Sequence, residues 1–151
     1  MPKILIVDDE ESIRRVLSRL LRNEGYEVIE AINGREGVEY ANRENPDVII
    51  MDLQMPELDG IAACKKLKEA EKTRNIPVLV ITTVTGQGKM DAINAGVDDF
   101  VNKPFLSEEV SIRVKSMLKI GGLRNELERV TTYMKNTEEE RKVNRAKKPV
   151  E

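Results

Sequence analysis

The stretch Val48-Ile-Ile-Met-Asp-Leu-Gln-Met-Pro-Glu-Leu-Asp-Gly60 decides the fold of this chain of 151 residues. Its first four residues are apolar, which is typical of a short parallel strand buried on both faces. The apolar run ends at Asp52, and Pro56 and Gly60 then favour a loop. Open α/β sheets bind their ligands at the carboxyl ends of the strands. The stretch therefore predicts a central strand that presents Asp52 at a functional edge of a sheet.

Other short apolar runs predict the remaining strands, and amphipathic segments lie between them. The predicted strands are residues 3–7, 26–30, 48–51, 78–81 and 99–103. The predicted helices run from Ile13 up to Gly25, from Asn33-Gly34 to before Pro46, from Asp59 to Lys72, from Gly86 to Ala95, and onward from Ser107, which we expect to cap the last helix. Five strands that alternate with five helices predict a doubly wound parallel α/β sheet, and we expect the flavodoxin-like strand order 2-1-3-4-5.

The charge pattern argues against direct nucleic-acid binding by the predicted domain. The first 119 residues carry 17 basic and 21 acidic side chains, of the 25 and 27 in the whole chain. Binding to a phosphate backbone needs a concentrated basic face. There is no apolar run of membrane-spanning length and no signal peptide, so we expect a cytoplasmic protein that does not enter a membrane.

Histidine and cysteine usage narrows the chemistry further. The chain has no histidine, which excludes histidine triads, histidine metal sites and a phosphohistidine on this chain. The single cysteine, Cys64, cannot form an internal disulfide, and its apolar helical position predicts a small core residue.

Polar residues end several of the predicted strands. Asp8 and Asp9 follow the first strand, Asp52 the third, Thr82 the fourth and Lys103 the fifth. Parallel strands end at one edge, so the three carboxylates would repel one another by roughly a few kcal/mol per pair at an intermediate dielectric. A divalent cation or shared protons must offset that repulsion. Oxygen ligands without histidine or cysteine favour Mg²⁺, Mn²⁺ or Ca²⁺.

In these motifs the chain resembles a response regulator receiver domain, the phosphate-accepting part of bacterial two-component signalling. The resemblance covers about residues 2–119 and rests on four motifs: Ile4-Leu-Ile-Val-Asp-Asp-Glu10, Met51-Asp-Leu-Gln-Met-Pro-Glu-Leu-Asp-Gly60, the strand-end Thr82, and Lys103-Pro-Phe105 after Asp98-Asp-Phe100.

The resemblance implies a role for each matched residue. Asp52 would be the phosphoacceptor. Asp9, Asp52 and the backbone carbonyl of Gln54 would bind Mg²⁺, with Mn²⁺ as an alternative, and Asp8 would assist through water. Lys103 would pair with the phosphoryl oxygens, and its bond to Pro104 would be cis. Thr82 would follow the phosphoryl group and Phe100 would turn inward, which would change the face formed by helix 4, strand 5 and helix 5.

The same resemblance implies a partner, namely a sensor histidine kinase or a phosphotransfer protein that supplies the phosphoryl group. The chemistry agrees with this reading, because a carboxylate can accept a phosphoryl group when a metal and a fixed ammonium neutralise its oxygens.

The chain continues beyond the resemblance as a predicted helical extension, residues 120–151. Its apolar residues recur at the 3-4 spacing of a coiled-coil seam, and they are Ile120, Leu123, Leu127, Val130 and Met134. We expect the last helix to continue to about residue 140, with a hinge at Gly121-Gly122. The extension would form a coiled-coil homodimer or a linker to an output domain of unknown identity, and the alternative is a single helix that is frayed at its end.

Three alternatives stay open at this point. A metal-dependent phosphohydrolase with an aspartate nucleophile needs a second acid two residues later, where this chain has Gln54. A flavodoxin-like cofactor binder needs a phosphate-binding first loop, where this chain has Asp8-Asp-Glu-Glu11. A receiver-shaped interaction module without phosphorylation would not need the full set of Asp9, Asp52, Thr82 and Lys103.

Overall fold

The computed structural model describes residues 1–55 and 58–121, together with positions 131 and 134. Its strands are β1 (Lys3–Val7), β2 (Glu27–Ala31), β3 (Val48–Met51), β4 (Val78–Thr82) and β5 (Asp99–Asn102). Its helices are α1 (Glu11–Asn23), α2 (Gly34–Glu44), α3 (Gly60–Glu69), α4 (Gln87–Asn94) and α5 (residues 107–121). Within residues 1–55 and 58–121, no helix combines the length and the apolar character needed to cross a bilayer.

The strands form one parallel sheet in the order β2-β1-β3-β4-β5. This order confirms the predicted flavodoxin-like doubly wound sheet. Successive residues of a strand point to opposite faces, so β1 sends Leu5 and Val7 to one face and Ile4 and Ile6 to the other. Both faces are buried, which explains why the central strands are continuously apolar rather than alternating.

Each face of the sheet packs against its own helices. Residues of α2, α3 and α4, such as Ala41, Cys64 and Ala92, lie in the core on the Leu5 face. The other core contains Leu17 of α1 and Val110 of α5. The prediction that Cys64 is a core residue is confirmed, since it is 1% exposed.

Local signals set most of the helix ends. Asn33 precedes α2, and its side-chain oxygen accepts a hydrogen bond from the Glu36 N–H at 2.8 Å, which satisfies one of the unpaired amides of the first turn. Gly25 follows α1 with a φ of 93°, a left-handed conformation that glycine adopts without a steric penalty. These two ends were predicted correctly.

Two predicted ends were wrong. The third helix ends at Glu69 rather than at Lys72, and the buried Thr73 hydroxyl donates to the Leu67 carbonyl at 2.6 Å, which closes the chain into turns. Ser107 does not cap α5 from outside, because residue 107 is already helical and the Leu106 carbonyl accepts from the Val110 N–H at 3.3 Å. The remaining predicted ends lie within one or two residues of the observed ones, except the predicted end of the last helix near residue 140, which falls outside the described residues.

The first compact unit of the chain spans Met1–Leu118, and a second unit spans Lys119–Glu151. Most of the second unit falls outside the described residues. The predicted seam, the hinge and the domain boundary between residues 119 and 120 therefore stay predictions.

Candidate functional site

Two carboxylates lie side by side where the central strands end. Val7 of β1 pairs with Met51 of β3, so the next residues, Asp8 and Asp52, follow paired positions at the same edge of the sheet. The two are only 3% and 6% exposed. The loop after β1 adds Asp9 and Glu10, and one carboxylate oxygen from each of the four acids lies within 4.8 Å of the others. The structure thus brings the predicted acids together.

The Lys103 ammonium lies between these acids. Its Nζ is 3.0 Å from Asp8 Oδ2, 3.1 Å from Asp52 Oδ2 and 3.9 Å from Glu10 Oε1. Lys103 directly follows β5, and its backbone N–H donates to the Thr82 carbonyl at 3.0 Å, which continues the ladder with β4. The Lys103–Pro104 peptide bond is cis, as the sequence resemblance implied.

Burial and charge shift the pKa values of two groups in the site. Burial raises the pKa of Asp8, and its hydrogen bonds with the Glu10 N–H and with the Lys103 ammonium only partly oppose the rise. For Lys103, burial alone would lower the pKa, but hydrogen bonds to Asp8 and Asp52 and their negative charges outweigh it, so its pKa is raised. The ammonium is therefore held firmly in its charged form at neutral pH.

Asp9 and Gln54 border an open cleft of about 470 Å³ beside the acids. Asp9 is exposed. The Gln54 N–H donates to Asp52 Oδ1 at 3.3 Å, which orients that carboxylate, and the Gln54 side-chain oxygen accepts from the Thr83 hydroxyl at 3.4 Å. Asp9 is the member of the acidic cluster that lines this cleft.

Thr82 and Phe100 lie on one face of the sheet. Val80 pairs with Phe100 and Thr82 with Asn102, and alternation along the strands then places Thr82 and Phe100 on the face covered by α4. Thr82 is 1% exposed, and its hydroxyl oxygen accepts from the Val84 N–H at 3.2 Å. Phe100 is partly exposed, and the Lys89 ammonium lies 5.1 Å from the centre of its ring. The predicted switch roles of Thr82 and Phe100 stay predictions.

The donor set fits a hard divalent cation. The described residues contribute four carboxylates to the cluster and one ammonium, which leaves a formal excess of three negative charges. Such an excess of negative charge favours the binding of a counterion. All the donors are oxygens, the ligand type that Mg²⁺ and Mn²⁺ prefer.

Sequence reasoning missed two residues of the site. Glu10 completes the acidic cluster, and its position directly after Asp8-Asp9 could have indicated this. Arg14 of α1 donates from Nη1 to the Asp8 carbonyl at 2.9 Å. A helical arginine has no sequence signal that marks such a contact, because the contact depends on how α1 packs beside β1.

A protein-family model described as "Response regulator receiver domain" matches residues 4–115. Among curated proteins, the chain is 40% identical over 139 residues to the alkaline phosphatase synthesis transcriptional regulatory protein PhoP of Bacillus subtilis, with 91% of this chain and 55% of PhoP covered. It is 39% identical over 120 residues to the DNA-binding dual master transcriptional regulator RpaA of Synechocystis, with 79% of this chain and 50% of RpaA covered.

These relatives correct one expectation. The prediction of no direct nucleic-acid binding was wrong as a statement about this kind of protein, because RpaA is described as DNA-binding. The chain spans about half the length of the curated relatives it matches. The prediction failed because it took the acidic charge of one domain as a property of the whole protein, and electrostatic attraction to DNA depends on the local charge of the contacting surface.

Solved structures of receiver domains and of a chemotaxis protein also resemble this chain. The receiver domain of the sensor histidine kinase PA1611 from Pseudomonas aeruginosa, with a magnesium ion in its active-site cleft, superposes with a TM-score of 0.74 at 30% identity, covering 78% of this chain and 98% of that one. The chemotaxis protein CheY4 of Vibrio cholerae superposes with a TM-score of 0.73 at 34% identity, covering 78% of this chain and 98% of CheY4. With the family model over most of the chain and the sheet order described above, the chain belongs to the response regulator receiver domain family.

Proposed function

We propose that this chain receives a phosphoryl group on Asp52 from a phosphohistidine of a sensor kinase or phosphotransfer protein. The observation that carries the proposal is the Lys103 ammonium, 3.1 Å from Asp52 and 3.0 Å from Asp8, within a cluster of four acids. An anionic phosphoryl group repels a carboxylate nucleophile such as Asp52. A largely buried cation beside the carboxylate offsets that repulsion.

In the transfer, a carboxylate oxygen of Asp52 forms a bond to phosphorus as the nitrogen–phosphorus bond of the donor breaks. The bonding electron pair returns to the donor imidazole, so the chain itself needs no acid or base for this step. Lys103 remains an ammonium and pairs with the phosphoryl oxygens that gain charge. Asp8 also accepts a hydrogen bond from the Lys103 ammonium, which holds Lys103 beside Asp52.

Asp8, Asp9, Asp52 and the backbone carbonyl of Gln54 are the groups that we propose hold the divalent cation. When bound, Mg²⁺ supplies positive charge that neutralises the phosphoryl oxygens during transfer. Mn²⁺ is the alternative, since it accepts the same oxygen donors. The Gln54 N–H meanwhile keeps Asp52 Oδ1 oriented by its hydrogen bond.

Phosphorylation would then act through Thr82 and Phe100. Among the described residues, the Thr82 hydroxyl is bound only through its acceptor side, to the Val84 N–H, so its proton can be donated to a new phosphoryl oxygen. Movement of Thr82 would free space on the same face of the sheet for the Phe100 ring. The surface formed by α4, β5 and α5 would change as a result.

Labelling with acetyl phosphate and Mg²⁺ tests the site. Wild-type protein should gain the mass of one phosphoryl group, Asp52→Asn should gain none, and Asp91→Asn, which removes an exposed acid on α4, should label normally. Lys103→Ala should label weakly and lose the change at Phe100. Labelling of Asp52→Asn at the wild-type level would show that another residue accepts the phosphoryl group.

We propose that the protein is not a turnover enzyme, because Gln54 stands where a phosphohydrolase of this kind needs a second acid. Purified protein should release phosphate from its own Asp52 but should not hydrolyse a simple phosphate ester in steady state. Sustained turnover of p-nitrophenyl phosphate that is lost in Asp52→Asn would instead support the phosphohydrolase.

For the output, we propose control of transcription, which rests on the descriptions of PhoP and RpaA as transcriptional regulators. Promoter occupancy in cells that carry the wild-type gene or the Asp52→Asn variant tests this proposal. Equal promoter occupancy in the wild-type and Asp52→Asn cells would show that the output does not require phosphorylation of Asp52.

A further inference from the structure

Arg14 connects the acidic loop to two secondary-structure elements. Its Nη1 donates to the Asp8 carbonyl at 2.9 Å, and its Nε lies 3.3 Å from Oε1 of Glu30, the fourth residue of β2. The Arg14 side chain is only 13% exposed, although it carries a full charge. One guanidinium on α1 thus joins the loop after β1 to the neighbouring strand β2.

The Asp8 carbonyl belongs to the peptide unit that links Asp8 to Asp9. A peptide unit is planar, so fixing its oxygen also fixes the direction in which the chain enters Asp9. The other groups of Asp8 are also held, because its N–H donates to the Ala31 carbonyl at 3.2 Å and its side chain accepts from the Glu10 N–H and from Lys103. The backbone N–H, the carbonyl and the side chain of Asp8 are therefore all held by hydrogen bonds.

Asp9 has no such support of its own. Within residues 1–55 and 58–121, no hydrogen bond or ion pair holds its carboxylate, and its side chain is exposed. Its place beside Asp8 and Asp52 depends on the backbone from which it extends. Arg14 binds this backbone segment at the Asp8 carbonyl, on the N-terminal side of Asp9, and the Asp8 side chain binds it at the Glu10 N–H on the other side.

We propose that Arg14 is a positioning residue for the cation site: by holding the Asp8–Asp9 peptide, it keeps the Asp9 carboxylate within reach of the ion shared with Asp52. This inference rests on the proposed cation site. Residues that orient metal ligands without touching the metal typically change metal affinity by about 10–100-fold when they are replaced.

The sign of the effect separates positioning from simple electrostatics. A guanidinium near a cation site repels the cation, so removal of its charge alone should tighten Mg²⁺ binding. Loss of the hydrogen bond to the Asp8 carbonyl should weaken Mg²⁺ binding, because the Asp8–Asp9 peptide that orients Asp9 is then held less firmly. The two effects oppose each other, and the proposal requires that the second is larger.

Calorimetric titration with Mg²⁺ of the full chain and three variants tests this. Arg14→Met removes both the charge and the hydrogen bonds, and Arg14→Lys keeps the charge but lacks the two-sided contact. Arg15→Met is the matched control, since Arg15 is the next residue of α1, has a side chain that is 67% exposed and, in the part of the chain that the structure describes, pairs only with Glu11 at 2.9 Å. Urea unfolding in EDTA, run in parallel, measures any general loss of stability.

We expect Arg14→Met to raise the Kd for Mg²⁺ by about tenfold, Arg14→Lys to raise it by less, and Arg15→Met to leave it within about twofold of wild type, since an exposed charge is screened. An Arg14→Met protein that is folded in EDTA and binds Mg²⁺ as tightly as wild type, or more tightly, would overturn the proposal. So would a loss of stability without any change in Kd. Absence of saturable Mg²⁺ binding by the wild-type protein would instead refute the proposed cation site itself.

Discussion

Replacement of Lys103 by methionine tests how much of the fold's stability depends on the charge in the site. Methionine has a similar length and no charge, so Lys103→Met leaves Asp8 and Asp52 facing each other without the ammonium that now lies 3.0 and 3.1 Å from them. Both acids are almost fully buried and cannot be solvated without rearrangement.

The magnitude follows from these distances. At an effective dielectric constant of about 20, each contact is worth roughly 5 kcal/mol of Coulomb energy before desolvation is subtracted. Desolvation of the three groups offsets most of this sum. Breaking a buried ion pair by removing one partner typically costs about 3–5 kcal/mol. Since the Lys103 side chain is 11% exposed, we expect Lys103→Met to lower the free energy of unfolding by about 3 kcal/mol at pH 7, at the low end of that range.

The effect should depend on pH in a defined direction. The folded-state pKa of Lys103 is raised, so its contribution is complete below the unfolded lysine pKa of about 10.4 and is lost as the pH rises through the folded value. The pKa of Asp8 is also raised, so Asp8 takes up a proton in the folded state at a pH above its usual value near 4. The difference between Lys103→Met and wild type should therefore be largest near neutral pH and should shrink on acidification.

Urea unfolding followed by circular dichroism in EDTA, at several pH values, measures these differences. Lys115→Met, which removes an exposed lysine of α5, is the matched control and should change the stability by less than about 0.5 kcal/mol. Saturating Mg²⁺ should restore part of the stability of Lys103→Met, because a ligand that binds only the folded state stabilises it. Equal stability of Lys103→Met and wild type at pH 7, without Mg²⁺, would refute this account of the site.

Two further predictions concern the scaffold beneath the site. A methyl group added at Gly60 would lie 2.3 Å from the Asp52 carbonyl oxygen. Gly60→Ala should therefore destabilise the fold by about 2 kcal/mol or more and should impair phosphoryl labelling of Asp52. Gly121→Ala is the control and should do neither, since a methyl group there meets no atom within 4 Å. The Cys64 thiol is buried, and burial is the main reason that its pKa is raised to about 11. Ellman's reagent should therefore react with Cys64 in urea but not in the native protein at pH 8. Rapid reaction of the native protein would show that α3 opens readily.

The sheet was predictable because its signals are local. The apolar run Val48–Met51 could be buried on both faces only as a central strand, and that is its place between β1 and β4. The Asn33 cap and the left-handed Gly25 likewise act through their immediate neighbours. The prediction for Ser107 was wrong because serine is a common N-cap residue, whereas the first hydrogen bond of α5 is accepted by the Leu106 carbonyl.

The residues of the site were predictable for a related reason. Carboxyl ends of parallel strands meet at one edge, so the order of strands alone brings Asp8 and Asp52 together. Distances, burial and protonation could not be predicted in this way. The position of Lys103 between the two acids and the raised pKa of Asp8 depend on atoms from strands that lie far apart in the chain.

The sequence by itself determined the class of sheet, the strand ends that carry the site and the oxygen-only character of the donors, because each of these follows from periodicity and residue type. The tertiary structure alone decided that Arg14 holds the Asp8 carbonyl. This contact depends on the packing of α1 against β1 and β2. No pattern along a single element records the distance between a helical guanidinium and a carbonyl in the preceding loop.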